Sequence, residues 1–232
     1  EAFPVPAAQQ EKFDEIARDY IGSSIRIERV RRLIWLAAQS RHPVLIQGES
    51  GTGKEIVARQ IKFCSQHPYK EFVPLNCGAI PTELLESELF GSARGAFNGA
   101  VDRGGMIALA QDGVLFLDEI GEPMPQHQVK ILRLLENGEY MRVGDPKKLK
   151  SNARIIAATN RDLASLVRLG KFREDLFYRL SVFSLHLPAL RERKEDIPLL
   201  ANFFLQSIVH GIGPKTLSPE ALACLHAYPW PG

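Results

Sequence analysis

Residues 48–56 read GESGTGKEI. Gly48, four intervening residues, Gly53 and Lys54 have the spacing of a phosphate-binding loop. The loop follows "PVLIQ" (43–47), a short apolar run read as a buried strand. It opens "KEIVARQIKFCS" (54–65), where Ile56, Val57, Ile61 and Cys64 share one helical side. Consecutive backbone N–H groups in such a turn make an anion nest, and the following helix adds its positive end. The segment Gly48, Glu49, Ser50, Gly51, Thr52, Gly53, Lys54 and Glu55 is therefore a candidate phosphate site, with Lys54 reaching the terminal phosphates. A tight strand–helix connection is the plainer reading, and the full spacing directly after a strand argues against it. One position departs from pattern. A magnesium-binding Ser or Thr usually follows the lysine, and this chain has Glu55.

Working outward, "FVPLN" (72–76) reads as a second strand, and "VLFLDE" (114–119) and "ARIIAATN" (153–160) are apolar runs ending in polar groups. Helical patterns lie between them: "ERVRRLIWLAAQ" (28–39), "TELLESELFG" (82–91), started by Thr82 and stopped by Gly91, and "VKILRLLENG" (129–138), closed by Gly138. Strands alternating with helices imply an α/β fold, a parallel sheet with helices on both faces. Ligands bind such sheets at the carboxyl ends of the strands. Three strand ends carry suitable groups: the loop at 48–55, Asp118–Glu119 and Thr159–Asn160. An acid at a buried strand end is costly unless it binds a cation or is hydrogen-bonded. Asp118 is the candidate magnesium ligand, and Glu119 the group that orients and deprotonates an attacking water. Solvated acids at a helix start are the plainer alternative. Magnesium keeps several waters and needs one or two protein oxygens besides the phosphates. Thr52 or a water could fill the place of the missing hydroxyl. Glu55 either contributes to the metal or simply opens the helix, where an acid suits the dipole.

The 232 residues carry a net charge of +2, so bulk charge does not point to nucleic acid. No apolar run approaches the ~20 residues of a membrane span, and "EAFPVPAAQQEKF" has neither a basic leader nor an apolar signal core. Three scattered cysteines (Cys64, Cys77 and Cys224) suggest neither a disulfide framework nor a metal site and fit a reducing cytoplasm. The six histidines have no metal-ligand spacing. A start at Glu1 suggests a cut fragment or a processed chain. Residues 1–20 read as a linker and lead-in, 21–189 as the α/β domain. From 190 to 232, "EDIPLLANFFLQSIV" and "SPEALACLHAY" form a truncated helical subdomain with no strand between them.

The runs "GESGTGKE", "NCGAIP", "LLESELFG", "GAFNGA", "LFLDEI", "RIIAATNRDL", "FREDLFYRL", "LPALRERKEDI" and "WPG" occur in the order found in bacterial enhancer-binding proteins. The chain resembles these AAA+ activators of sigma-54 RNA polymerase over about residues 21–232. In that family Glu after the loop lysine is usual. The resemblance implies a three-layer AAA+ P-loop ATPase core using ATP and Mg2+, assembling as a ring, a hexamer, and remodelling sigma-54 polymerase. It implies that Asn76 is the switch asparagine holding the hydrolysis glutamate, and that Thr159 and Asn160 sense the terminal phosphate. Ile21 and Gly22 would lie near the adenine. Arg173 and Arg179 would be arginine fingers reaching a neighbouring subunit's ATP. Six residues apart is roughly 240° around a helix, so both reach one point only if Arg173 precedes the helix. Ion pairing with Glu174 or Asp175 is the plainer reading of Arg173. The family continues past "WPG" with an asparagine and a sensing arginine. DNA recognition and signal input would lie on domains outside this chain.

"GSARGAFNGAVDRGG" (91–105) sits between a helix and the acid-bearing strand and is not needed by a tight core. Its glycines permit large backbone changes, and Phe97 at its tip suggests a partner contact. The resemblance makes Gly95, Ala96, Phe97, Asn98, Gly99 and Ala100 the sigma-54 loop, usually GAFTGA. Asn98 replaces the threonine, Ser92-Ala93 the common His-Glu, and Ile107 and Ala108 an aromatic and a glutamate. Two explanations stand: altered engagement of sigma-54, or a nucleotide-gated assembly and regulatory module independent of it, with weak or no hydrolysis. The stretch 137–154, with Lys147, Lys148 and Lys150, reads as a solvated hairpin rather than a nucleic-acid patch.

Overall fold

The computed structural model describes residues 9–97, 99–208 and 215–231. Five strands form one parallel sheet: β1 (Val44–Gln47), β2 (Phe72–Asn76), β3 (Val114–Asp118), β4 (Arg154–Thr159) and β5 (Phe183–His186). Their order is β2-β3-β4-β1-β5. All six residues of β4 and the first four of β3 are buried. Strands covered on both faces lose polar alternation, which is why both read as continuous apolar runs.

The helices are α1 (Gln10–Asp19), α2 (Ile25–Ala38), α3 (Lys54–Phe63), α4 (Thr82–Phe90), α5 (Met106–Leu109), α6 (Pro125–Asn137), α7 (Leu163–Arg168), α8 (Glu174–Leu180), α9 (Ile197–Ile208) and α10 (Pro219–Ala227). They cover the sheet in two layers. On one face Val44, Ile46, Phe116 and Ile156 meet Ile16, Ile34 and Ile61 of α1, α2 and α3. On the other Leu45, Leu115, Leu117 and Ala157 meet Leu89, Ile131 and Leu176 of α4, α6 and α8. Neighbouring strand residues divide between the two cores because side chains alternate with period two. Local signals agree with the ends. Ser24, Asp162 and Ser218 accept backbone N–H bonds at the starts of α2, α7 and α10. Gly138 ends α6 at φ 68°, a conformation glycine adopts without penalty. The start of α4 is capped by the Pro81 carbonyl, which accepts from the Leu84 and Leu85 amides, with Thr82 as first helical residue.

Two elements go beyond the sequence reading. Within the lead-in, residues from Gln10 form α1, with Ile16 fully buried and Phe13 edge-on to Trp35 at 6.0 Å. β5 was not anticipated. It is an edge strand of four residues with only Leu185 buried, too short and too polar to stand out.

The connections fix where a ligand can sit. From β1 the chain crosses by α3 to the β2 side, whereas from β4 it crosses by α7 and α8 to β5 on the other side. The neighbouring strands β1 and β4 therefore send their chains in opposite directions. The crevice beyond their carboxyl ends is a topological switch point.

Candidate functional site

The glycine loop fills that crevice. Gly51 and Gly53 hold φ 76° and 91°, where a side chain would be strained. A Cβ on Gly48 would press on Thr52 Oγ1 at 2.9 Å and Leu187 Cβ at 3.0 Å. The loop is closed on itself: Thr52 Oγ1 donates to the Glu49 carbonyl at 2.8 Å, and the Gly48 amide donates to the Thr159 carbonyl at 3.2 Å. Lys54 is buried, and its Nζ donates to the carbonyls of Gly48 (3.1 Å) and Glu49 (3.2 Å). An ammonium has three donors, so one remains for an anion.

The two loop acids face outward. Glu49 is forked onto Arg191, Nη1 to Oε2 at 2.7 Å, and this pairing holds its carboxyl below the ordinary range. Glu55 takes Arg59 one turn along α3 at 2.7 Å, with both side chains half exposed. That geometry matches an acid opening a helix.

The strand ends are level across the edge: Gln47 pairs with Thr159, and Asn76 with Asp118. Asp118 Oδ1 accepts the Glu119 amide at 3.0 Å. Glu119 lies at φ 54°, a left-handed conformation that costs a non-glycine residue about 1–3 kcal/mol and concentrates at functional sites. Among the described residues neither acid has a salt-bridge partner, and no group of three His, Cys, Asp or Glu side chains forms a metal cage. One or two hard carboxylate oxygens beside a phosphate loop suit magnesium, which takes its other ligands from water and phosphate. Asn76 Oδ1 accepts the Gly78 (2.9 Å) and Ala79 (3.0 Å) amides, and among the described residues no hydrogen bond joins it to Glu119. Thr159 is fully buried with Oγ1 accepting the Arg161 amide, while Asn160 is exposed. Behind the acids, burial and the charges of Asp118, Glu119 and Glu122 push the Cys77 thiol up to about 12, which leaves it protonated and inert.

Beside the loop opens a cavity of about 620 Å³, whose lining includes Tyr20, Ile21, Gly51, Gly53, Leu190 and Arg193. Several of the residues that shape it escaped the sequence reading. Tyr20 O–H donates to the Thr52 carbonyl at 3.1 Å, and the Arg193 guanidinium lies 5.5 Å from its ring centre. Asp196 is fully buried and accepts from Ser23 N (2.6 Å), Ser24 N (2.8 Å) and Ser24 Oγ (2.6 Å). A Cβ on Gly22 would meet that carboxylate at 2.8 Å. Arg31 Nη2 donates to the carbonyls of Tyr20 and Gly22, both at 2.8 Å. These bonds tie the strip 20–24 to the phosphate loop on one side and to the base of α9 on the other. Their pairings join residues up to 173 positions apart, so no local pattern announces them.

Arg173 and Arg179 line no part of this cavity. Arg173 stands before α8 with extended backbone (φ −74°, ψ 135°), so helical geometry does not separate it from Arg179. It pairs with Asp175 at 2.6 Å, while Arg179 Nε donates to the Leu135 carbonyl at 3.3 Å.

The segment 91–105 leaves the body through a narrow neck. Gly91–Ser92 pairs antiparallel with Arg103–Gly104. A Cβ on Gly105 would sit 2.3 Å from Gly91 N, and one on Gly91 would sit 2.6 Å from the Arg103 carbonyl oxygen. Beyond the neck, Phe97 is 45% and Val101 64% exposed; Asn98 lies outside the described residues. The second insertion is a hairpin, Glu139–Tyr140 with Leu149–Lys150, as expected, and Lys148 pairs with Glu139. It leans on the loop: Ala93 N donates to Val143 O and Val143 N to Gly91 O, each at 2.9 Å, and Arg142 pairs with Asp102 at 2.6 Å.

Comparison with known proteins agrees with this architecture. A family profile described as Sigma-54 interaction domain matches residues 20–186, and one described as AAA+ ATPase lid domain matches 191–232. The Nif-specific regulatory protein of Azotobacter vinelandii is 50% identical over 214 residues, covering 91% of this chain and 41% of that protein. Crystal structures of NtrX from Brucella abortus in complex with ADP and with ATP superpose with TM-scores of 0.86 and 0.84 at 38% and 36% identity. Each covers 97% of this chain and about half of NtrX. The chain thus spans about half the length or less of these relatives. With its five-stranded parallel sheet, switch-point loop and helical covering, the chain belongs to the sigma-54 interaction family, the AAA+ P-loop ATPase domains of transcriptional activators.

Proposed function

We propose that this domain binds ATP with Mg2+, hydrolyses it between the subunits of a ring, a hexamer, and uses the energy to remodel sigma-54 RNA polymerase through the loop at 91–105. The observation that carries the reading is a closed glycine loop and a buried lysine with a donor to spare at the switch point, on the same sheet edge as two carboxylates that have no salt-bridge partner among the described residues. The nucleotide complexes of NtrX support it.

Gly48 to Lys54 would cradle the phosphates, and Tyr20, Ile21 and Gly22 would border the base. Asp118 would hold the metal, directly or through water, and Thr52 or a water would take the place of the missing hydroxyl. When bound, the metal neutralises charge on the terminal phosphates. Glu119 would orient the attacking water and take its proton, Lys54 would stabilise the charge that develops, and Thr159 and Asn160 would sense the departing phosphate. Asn76, bonded here to its own turn, would engage Glu119 in another nucleotide state. Arg173 and Arg179, which do not line the chain's own cavity, would complete a neighbour's site. DNA binding would belong to another domain of the full-length protein.

The test is ATP turnover by full-length protein across a range of concentrations, with and without sigma-54 polymerase. Turnover per subunit should rise with concentration, and Glu119→Gln should lower it by ~10²–10⁴-fold while ATP still binds. Turnover indifferent to concentration and to Glu119→Gln would sink the proposal.

A further inference from the structure

Gln128 is fully buried on the inner face of α6. A buried amide needs partners for all its polar atoms, and this one has three. Nε2 donates to the Pro123 carbonyl at 2.8 Å and to the Lys171 carbonyl at 3.0 Å; Oε1 accepts the Arg173 amide at 2.8 Å. Two carbonyls on one side and an N–H on the other fix the orientation of the amide.

The three partners belong to two different machines. Pro123 directly follows the turn 119–122, in which the Glu122 amide donates to the Glu119 carbonyl at 3.0 Å. Lys171 and Arg173 flank buried Phe172 in the turn that enters α8 and carries Arg173. The backbone of that turn has its own support, since the Lys171 and Phe172 amides both donate to the Leu166 carbonyl. The Arg173 amide, one residue further, is held by Gln128. Seven residues on, two helical turns along α6, the Leu135 carbonyl receives Arg179. One helix thus anchors both arginines, and one side chain ties the first of them to the turn of the chain's own acidic residues.

We infer that Gln128 is a positioning residue for Arg173: it sets the backbone from which this guanidinium extends to the adjoining subunit, and it fastens that backbone to the turn after Glu119. The inference rests on the reading of Arg173 as a group acting on a neighbour's ATP. A misplacement of about 1 Å in such a group costs on the order of 10²-fold in rate, and loss of the group itself about 10³–10⁵-fold.

The experiment uses full-length protein and ATP turnover. Gln128→Leu keeps the volume and removes all three bonds; Gln128→Glu keeps the acceptor for the Arg173 amide and loses both donors. Gln128→Leu should lower kcat by ~10–100-fold with KM changed less than about threefold, and Gln128→Glu should fall between it and the parent. In an Arg173→Ala background Gln128→Leu should cost nothing more. The decisive measurement is a mixture with Glu119→Gln subunits, which offer an intact Arg173 but do not turn over. Turnover per Gln128→Leu subunit should rise several-fold in the mixture, because the defect lies in what a subunit offers its neighbour. A core amide with a merely structural role would give additive losses and no rescue, and either result overturns the inference. If Gln128→Leu melts below the assay temperature, Gln128→Glu carries the same mixing test. Turnover that falls with Arg173→Ala but not with either Gln128 variant overturns this inference alone. Turnover untouched by Arg173→Ala removes the neighbour-site reading as well.

Discussion

At the carboxyl edge of the sheet, Lys54, Thr52 and Thr159 are buried and bonded to backbone groups of the loops that leave β1 and β4. In the segment 91–105, Phe97 and Val101 stand in solvent, and beyond the neck the described residues bond within the segment through Ala96 N to Ala93 O, Ala100 N to Phe97 O and Gly95 N to Ala100 O. The first region is built to keep one geometry for a ligand that arrives. The second spends apolar surface on water and keeps its order through contacts with the hairpin at 139–150. Hydrolysis needs preorganised groups, whereas a segment that moves must come from the low-stability end of the fold. The difference in packing is visible in burial alone.

Four measurements would break or sharpen this contrast. Lys54→Ala removes the spare donor from the rigid region and should reduce ATP turnover by ~10²–10³-fold or more; a loss below tenfold would mean the buried ammonium serves only the loop. Gly105→Ala puts a carbon 2.3 Å from Gly91 N and 2.4 Å from the Leu89 carbonyl oxygen. It should cost about 1–3 kcal/mol, a melting temperature lower by roughly 2–12 °C at ~2–4 °C per kcal/mol. Gly99→Ala, with nothing within 4 Å of the new carbon, meets only the cost of φ 84° and should fall less. Equal losses would show that the neck is no tighter than the tip.

Thiol alkylation at pH 8 should modify exposed Cys224 at once and leave Cys77 unmodified in the folded chain, since its thiol is raised from 9.0 to about 12. The sign follows: the native state keeps this proton longer than the unfolded chain, so the stabilisation is intact below pH 9 and is lost as pH climbs toward 12. Rapid labelling of Cys77 would mean that the edge opens. The smallest effect is on Phe97→Ala, whose stability should stay within about 0.5 kcal/mol of the parent; a larger drop in melting temperature would mean that the ring packs rather than waits for a partner.

Much of the sheet was legible because β1, β3 and β4 are buried on both faces and each ends in a polar group. The glycine spacing located the loop, and Asp118 and Glu119 stood out as acids after four apolar residues. β5 was hidden because an edge strand with one buried side chain has no distinctive pattern. α1 looked like a lead-in because Ile16 is its only fully buried residue. Tyr20, Arg193, Asp196 and Gln128 were invisible for a different reason: each acts through partners distant in sequence, and a tyrosine, an arginine or a glutamine on a helix is ordinary until those partners are known.

The neck at Gly91 and Gly105 has a consequence for variation. The two chain segments touch there backbone to backbone, so the tightest packing of the segment lies at its base rather than at its tip. Buried Ser92 belongs to that neck and pairs with Arg103, whereas Gly95 and Gly99, where an added carbon would meet nothing within 4 Å, lie beyond it, so room for added bulk begins only outside the paired strands.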